Sequence, residues 1–266
     1  METILDKIIT QKRLEVEIQK KEMPIATMIR ILADSHPLPK SKVFSKAIAN
    51  SSTGIIAEFK RKSPSRDWIH QDAKIEDIIP YYSLKGASAI SVLTDEKFFG
   101  GKLDDLRSAR NLTDTPLLRK DFIIDEYQIY QAAFYGANAI LLIAASLTLD
   151  ETKSFAKTAK DLGLDVLLEI HNEQELDYIR DNIDVVGINN RNLKTFVTDI
   201  QVSYDLGNKI PDTYIKISES GISDPQTVKD LRQAGFKGFL MGENFMKTKD
   251  PAKALGEFIK ELENEG

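Results

Sequence analysis

The sequence predicts an α/β fold, a single (β/α)8 TIM barrel with an N-terminal helical extension, and three observations carry that prediction. After residue 50, eight short apolar runs alternate with longer, charged, helix-patterned stretches, which is the pattern of repeated βαβ units and a parallel sheet. Eight runs match a closed barrel, and 266 residues suit one barrel domain of about 250 residues. The first run is followed by RKSPSRD, which lacks the glycine-rich turn that opens a doubly wound sheet, so the open sheet is the runner-up architecture.

Taken in order, residues 1–50 read as the extension and 51–266 as the barrel. Ile4, Leu5, Ile8 and Ile9 recur at helical spacing as one apolar stripe. Pro24 ends or interrupts that helix, and Pro37-Leu38-Pro39 marks a loop. The helix reads first as an extra layer packed on the barrel; a lid or interaction helix is the sharper alternative. The eight strand candidates are Gly54–Lys60, Ala87–Thr94, Pro116–Phe122, Ala139–Ala145, Asp165–Ile170, Val185–Arg191, Ile215–Ser220 and Gly238–Glu243. Helix candidates between them include Ile75–Leu84, Asp125–Tyr135, Leu149–Leu162, Glu173–Arg180 and Pro225–Ala234, and Pro251–Glu263 reads as the last barrel helix. A weak internal repeat, GASAI from Gly86 and GANAI from Gly136, sets a helix-capping glycine before a strand start each time.

Composition removes several function classes. Without cysteine there is no disulfide framework, thiolate zinc site or cysteine nucleophile. His36, His70 and His171 lie far apart in sequence, so no histidine metal site is expected. A net charge of −5 argues against general nucleic-acid binding. The N-terminus has no signal-like apolar region, and no run of about 18 apolar residues predicts a membrane span. The expectation is a cytoplasmic protein that needs no cofactor or metal and works as a monomer with at most weak self-association.

Barrel enzymes carry their chemistry at the C-terminal ends of the strands, and side chains there alternate between interior and helix layer. In the first strand Glu58 and Lys60 share a face with Ile56, opposite Ile55, Ala57 and Phe59. The same parity turns Lys120, Glu169, Asn189, Arg191 and Glu219 into the mouth, although Arg119 and Asp121 blur the outer face of the third strand. Charges at strand ends are ordinary singly; seven polar groups in one register are harder to dismiss. Such a mouth suits acid–base work, because closely placed carboxylates and cations shift one another's protonation. Lys216, off this face, reads as structural, reaching toward the barrel bottom. A phosphate site is expected where Ser220-Gly221 and Gly242-Glu243 follow the seventh and eighth strands, with Ser63 and Ser65 adding hydroxyls. Phe98, Phe99 and Phe122 lie at loop edges, and Trp68 lies in the loop after the first strand with its role open. On the residues alone, a sugar-phosphate isomerase, a Schiff-base aldolase using Lys120 or Lys60, and a non-catalytic scaffold remain alternatives.

IIAEFKRKSPS (55–65), SVLTDEKFFGG (91–101), LLRKDFIIDEYQI (117–129), LLEIHNEQEL (167–176), GINNRNL (187–193), ISESGI (217–222) and FLMGENFM (239–246) appear in this order. With them the chain resembles the indole-3-glycerol phosphate synthases of tryptophan biosynthesis from about residue 50 to its C-terminus. The resemblance implies a carboxy-lyase that closes a pyrrole ring on 1-(2-carboxyphenylamino)-1-deoxyribulose 5-phosphate, losing CO2 and water. It implies Lys120 as general acid, Glu169 as general base, and Lys60 on the anthranilate carboxylate with a share in the proton transfers. Glu58, Asn189 and Glu219 would orient hydroxyls and the lysines, and Arg191 would lie near the substrate carboxylate. Ser63, Ser220, Gly221, Gly242 and Glu243 would hold the phosphate, and Phe99 and Phe122 would flank the aromatic ring. Arg66-Asp67-Trp68 stands where the family carries Lys-Gly, so this loop is expected to move or pack differently. Asn190 and Asn244 also stand where other residues are common. A lysine whose pKa is lowered toward about 7–8 by neighbours and burial can serve as such a proton donor.

Overall fold

Eight parallel strands close into a barrel with helices between them in a computed structural model that describes residues 3–35 and 42–264. They are β1 (Ile55–Phe59), β2 (Ala89–Leu93), β3 (Leu117–Lys120), β4 (Ala139–Ile143), β5 (Asp165–Ile170), β6 (Val185–Asn189), β7 (Ile215–Glu219) and β8 (Gly238–Met241). Each pairs with its sequence neighbour, and β1 closes onto β8 through Ile55–Phe239, Ile56–Leu240 and Ala57–Met241. This is the TIM barrel that the alternation of apolar runs predicts.

The predicted strand parity is the observed one. Ile56, Leu118, Leu141, Leu167, Val185, Ile217 and Leu240 fill the interior. Ile55, Ala57, Phe59, Val166, Leu168, Ile170, Val186 and Ile188 pack outward against the helices. Strands buried on both faces explain why the runs read as nearly continuous apolar segments. Arg119 explains the blurred outer face of β3. It is buried and donates to Thr94 Oγ1 (3.2 Å), the Gln128 carbonyl (2.6 Å) and Asp121 Oδ2 (2.8 Å).

Twelve α-helices lie among the described residues. Those before the barrel are α1 (Ile4–Glu22), α2 (Ile25–Ser35) and α3 (Val43–Ala49); α1 ends just before Pro24. The Pro37-Leu38-Pro39 loop and His36 lie outside the described residues. The barrel helices are α4 (Ile75–Leu84), α5 (Glu96–Phe99), α6 (Leu103–Leu112), α7 (Glu126–Phe134), α8 (Leu149–Asp161), α9 (Gln201–Gly207), α10 (Pro225–Gln233), α11 (Glu243–Met246) and α12 (Pro251–Glu263). Local chemistry sets several of their starts. Thr3 and Asp6 form a capping box on α1, Thr148 and Glu151 form another on α8, and Asp125 caps α7. The repeated glycines do the expected work: Gly86 and Gly136 sit at φ 94° and 86° just past α4 and α7, a left-handed turn that side chains disfavour.

Three expectations need correction. Glu173–Arg180, read as an ordinary helix, is a 3-10 helix that spans only Glu173–Tyr178. The Glu175 carboxylate accepts the His171 backbone N–H (2.7 Å) and the Asn172 side chain (2.7 Å), which draws this short segment tight against the end of β5. The extension is also more than a layer on the flank. The first turns of α1 bring Ile4, Leu5 and Ile8 over the barrel mouth, while Val16 packs with Met28 and Tyr127 on the outside. At the other end α3, absent from the sequence reading, inserts Phe44 and Ile48 into the interior core. The backbone N–H groups of Lys42 and Ser45 anchor it to the Asp165 carboxylate at 2.9 and 2.8 Å. Lys216 is buried near the barrel bottom, donating to the Gly207 carbonyl (3.3 Å) and Asp212 (3.1 Å), as its place off the mouth face suggested.

Candidate active site

Strand parity brings three buried or nearly buried charges to one point. Lys120 at the end of β3 places Nζ 2.9 Å from Glu169 Oε2 on β5 and 2.5 Å from Glu219 Oε2 on β7. Asn189 on β6 donates to Glu169 Oε1 at 3.1 Å. On the β1 side Lys60 pairs with Glu58 at 2.8 Å, and Ser91 donates to the other Glu58 oxygen at 3.2 Å. Gly242, after β8, leaves room for this arrangement: a Cβ there would lie 2.6 Å from Glu58 Oε1.

The electrostatics of the trio are lopsided. Burial opposes charge on all three groups, yet Glu169, Glu219 and Glu58 together hold Lys120 well above the usual lysine range. A downward shift of this lysine is therefore not found: three carboxylates outweigh desolvation. Glu169 is buried too, but Lys120 and His171 hold it below the ordinary carboxylate range. Glu219 is pushed up to about 7 by burial, against Lys120, with Glu169 and Glu58 adding repulsion. One lysine between two carboxylates cannot neutralise both, and the one with a second cation beside it keeps its charge. Glu219 Oε1 is buried without a hydrogen-bond partner and lies against Gly187, where a Cβ would collide with it.

These groups floor a cavity of about 380 Å³ that all fourteen sequence-derived site residues line. Glu58, Lys60, Lys120, Glu169, Asn189 and Glu219 are joined there by Ser63, Phe99, Phe122, Arg191, Ser220, Gly221, Gly242 and Glu243. Phe99 and Phe122 stand against each other with ring centroids 5.9 Å apart. They meet as one apolar wall, and Ile4, Leu5 and Ile8 of α1 add another apolar stretch. Arg191 donates to Ser65 Oγ (3.3 Å) and lies 3.8 Å from Glu243. Among the described residues, no group of three or more His, Cys, Asp or Glu side chains is placed to hold a metal ion.

The comparisons with known proteins agree with one another. The family model for indole-3-glycerol phosphate synthase matches residues 5–258. The chain belongs to the indole-3-glycerol phosphate synthase family. The family's members are carbon–carbon lyases of tryptophan biosynthesis, and this chain is one of those enzymes. It is 53% identical over 263 residues to the indole-3-glycerol phosphate synthase of Bacteroides thetaiotaomicron, spanning 99% of this chain and 100% of that one. It is 42% identical to the synthase of Prochlorococcus marinus strain MIT 9515, over 97% and 90% of the two chains. Among solved structures, a mutant tryptophan synthase alpha-subunit from Pyrococcus furiosus matches with a TM-score of 0.59. That match has 16% identity over 79% of this chain and 97% of the other. KGPDC from Streptococcus mutans matches with the same TM-score at 14% identity, over 79% and 97% of the two chains. At such identity these two matches show the barrel fold alone.

Against the family pattern, the Arg66-Asp67-Trp68 departure has a clear structural consequence. Lys62–Ser63 and Asp67–Trp68 pair as a small antiparallel ribbon. The Trp68 ring packs where a Cβ on Gly100 would stand (2.9 Å), and Lys62 lies 5.4 Å from its ring centroid. Arg66 reaches Glu243 at 3.2 Å. The loop after β1 is thus tied to the loops after β2 and β8. Asn190, a further departure, is buried; its side chain donates to Ser218 Oγ (2.9 Å) and the Ser220 carbonyl (3.0 Å) and accepts from Ser203.

Sequence reasoning missed two groups at this mouth. His171, considered only as a metal ligand, has Nε2 3.2 Å from Glu169 Oε1 and Nδ1 3.3 Å from Glu175 Oε2. The signal was available: 167, 169 and 171 share strand parity, and 175 follows one helical turn later. Lys12 of α1 is buried, 2.9 Å from Asp95, 3.0 Å from Asp121 and 2.8 Å from Glu15. A lysine between Ile8 and Val16 on the apolar stripe was the corresponding clue.

Proposed function

We propose that this chain converts 1-(2-carboxyphenylamino)-1-deoxyribulose 5-phosphate to indole-3-glycerol phosphate, CO2 and water. The observation that carries the reading is Lys120 fixed between Glu169 and Glu219 inside a mouth that also holds Lys60 and Arg191. The substrate is a dianion or more, and the chain is acidic overall, so local cations have to receive it. A cavity of about 380 Å³ lies within the roughly 300–1,000 Å³ of small-ligand sites.

In this reading the carboxylate-bearing aromatic carbon attacks the ketone while Lys120 protonates its oxygen. Lys120 is charged, the form a proton donor needs, and the charge developing on oxygen draws the proton off. Lys60 holds the anthranilate carboxylate until CO2 leaves and shares in the proton transfers. Glu169, ionised, takes the proton of the CH2 group beside nitrogen as the hydroxyl departs as water. Glu58 orients Lys60, Asn189 orients Glu169, and Glu219 orients Lys120 and a substrate hydroxyl. Ser63, Ser220 and Gly221 hold the phosphate together with the backbone of Gly242 and Glu243. The Glu243 carboxylate lies on the Arg66 and Arg191 side. Phe99 and Phe122 pack on the aromatic ring, with Arg191 near its carboxylate. The steps are redox-neutral and their atoms balance without a cofactor. A Schiff-base role for Lys120 is disfavoured, because a lysine held charged by carboxylates is not a nucleophile.

The test is to incubate the purified protein with this substrate in EDTA and follow indole fluorescence. A metal-independent rise is expected. A folded protein that binds inorganic phosphate but gives no rise would overturn the reading in favour of another sugar phosphate.

A further inference from the structure

The proposed reaction consumes a proton. The ketone oxygen leaves as water and needs two protons; the CH2 group beside nitrogen returns one, and the carboxylate leaves as CO2 without releasing any. One proton therefore enters from solvent in every turnover.

We propose that His171, held by the Glu175 carboxylate, is a positioning residue for Glu169 and the inlet for that proton, through the chain His171, Glu169, Lys120. The inference rests on the ring-closure reading above. Its geometry is continuous: Glu175 Oε2 to His171 Nδ1 is 3.3 Å, His171 Nε2 to Glu169 Oε1 is 3.2 Å, and Glu169 Oε2 to Lys120 Nζ is 2.9 Å. Nε2 is buried, and its contact with Glu169 is an ion pair off hydrogen-bond alignment. The chain leads outward. Glu169 has 4% of its side chain exposed, His171 10% and Glu175 12%, and Glu175 also accepts from the exposed Asn172. The charged neighbours are Glu169 on β5 and Glu175 in the 3-10 turn. Behind Glu169 stand Lys120 on β3 and the neutral Asn189 on β6, with Glu219 of β7 beyond Lys120. Burial alone would discharge the ring, but the two carboxylates push His171 up to about 10, so it is an imidazolium at neutral pH. In the transfer, the Nε2–H bond breaks toward Glu169 while Nδ1–H stays on the Glu175 carboxylate, and the neutral ring then takes one proton from solvent back onto Nε2 as the side chain rocks outward. Glu169 gives its proton to Lys120. No electrons change hands.

Two measurements separate this proposal from the reading beneath it. The first needs no activity. In NMR of the three histidines, one ring should stay protonated to about pH 10, and in Glu175→Gln its titration should move down toward the ordinary range near 6.5. A His171 that titrates at the ordinary position overturns the proposal even if the enzyme makes product. If His171 titrates high but no product forms, the substrate reading fails instead. The second measurement uses turnover. His171→Gln should lower kcat by about 10–100-fold, leave KM within about twofold, and raise the solvent deuterium isotope effect on kcat. In His171→Ala, added imidazole should restore part of the rate. An unchanged kcat, or a loss with neither an isotope response nor imidazole rescue, would overturn the inlet.

Discussion

At the scale of single residues, the site works by unequal partnership. Lys120 has two carboxylates and Glu169 has two cations, so Glu169 stays ionised while Glu219 carries the raised pKa. Replacing Lys120 by Met should cut turnover by about 10²–10⁴-fold, the usual range for a proton-transfer group, while substrate analogues still bind. Normal turnover of the variant would remove the assigned role. Glu169→Gln should slow the reaction severely with folding intact, and a wild-type rate and pH profile would place the base elsewhere. His171 also bears on stability. Its folded pKa of about 10 exceeds the ordinary 6.5, so its contribution is complete below pH 6.5 and is lost as pH rises through 10. Urea unfolding of wild type and His171→Gln should therefore show a stability gap that is widest at acid-neutral pH and closes by alkaline pH.

At the scale of elements, α1 is fastened to the loops at the barrel mouth by a buried charge. Lys12 holds Asp95 at the start of α5 and Asp121 just after Lys120, and the paired carboxylates raise its pKa despite burial. The same contact, with Arg119, keeps the buried Asp121 well below its ordinary range. Lys12→Met leaves Asp95 without its cation and Asp121 with Arg119 alone. Losing one partner of a buried pair costs about 3–5 kcal/mol, and the remaining Arg119 contact puts this variant at the lower end. The denaturation midpoint should fall accordingly, with KM rising because Ile4, Leu5 and Ile8 lose their seat at the mouth. An unchanged midpoint would mean that α1 is held by its Val16 face instead.

For the molecule as a whole, the helices before the barrel close both ends: α1 borders the mouth and α3 plugs the floor. Chemistry and stability are thereby separated along the barrel axis. Phe44→Ala should cost about 3–5 kcal/mol by cavity formation, measured by urea unfolding, yet leave kcat within about twofold because the plug lies at the opposite end from Lys120. A large fall in kcat in a still-folded variant would show that the floor and the mouth are coupled.

The sequence by itself determined the strand count, the parity of each strand and fourteen of the residues that line the mouth cavity. These follow from local periodicity: a side chain two residues along a strand must return to the same face, so Glu58 and Lys60, or Leu167 and Glu169, declare their direction without any partner. Helix starts at Thr148 and Asp125 and the glycine turns at Gly86 and Gly136 were legible for the same reason, since capping is chemistry between near neighbours. Tertiary structure alone decided which charges meet. The protonation of Lys120 depends on strands 49 and 99 residues further along. Lys12, Asp95 and Asp121 come together only when α1 folds over the mouth. The upward shift at Lys120 has this cause: Coulomb energy depends on distance in space and on burial, and neither is a property of sequence spacing.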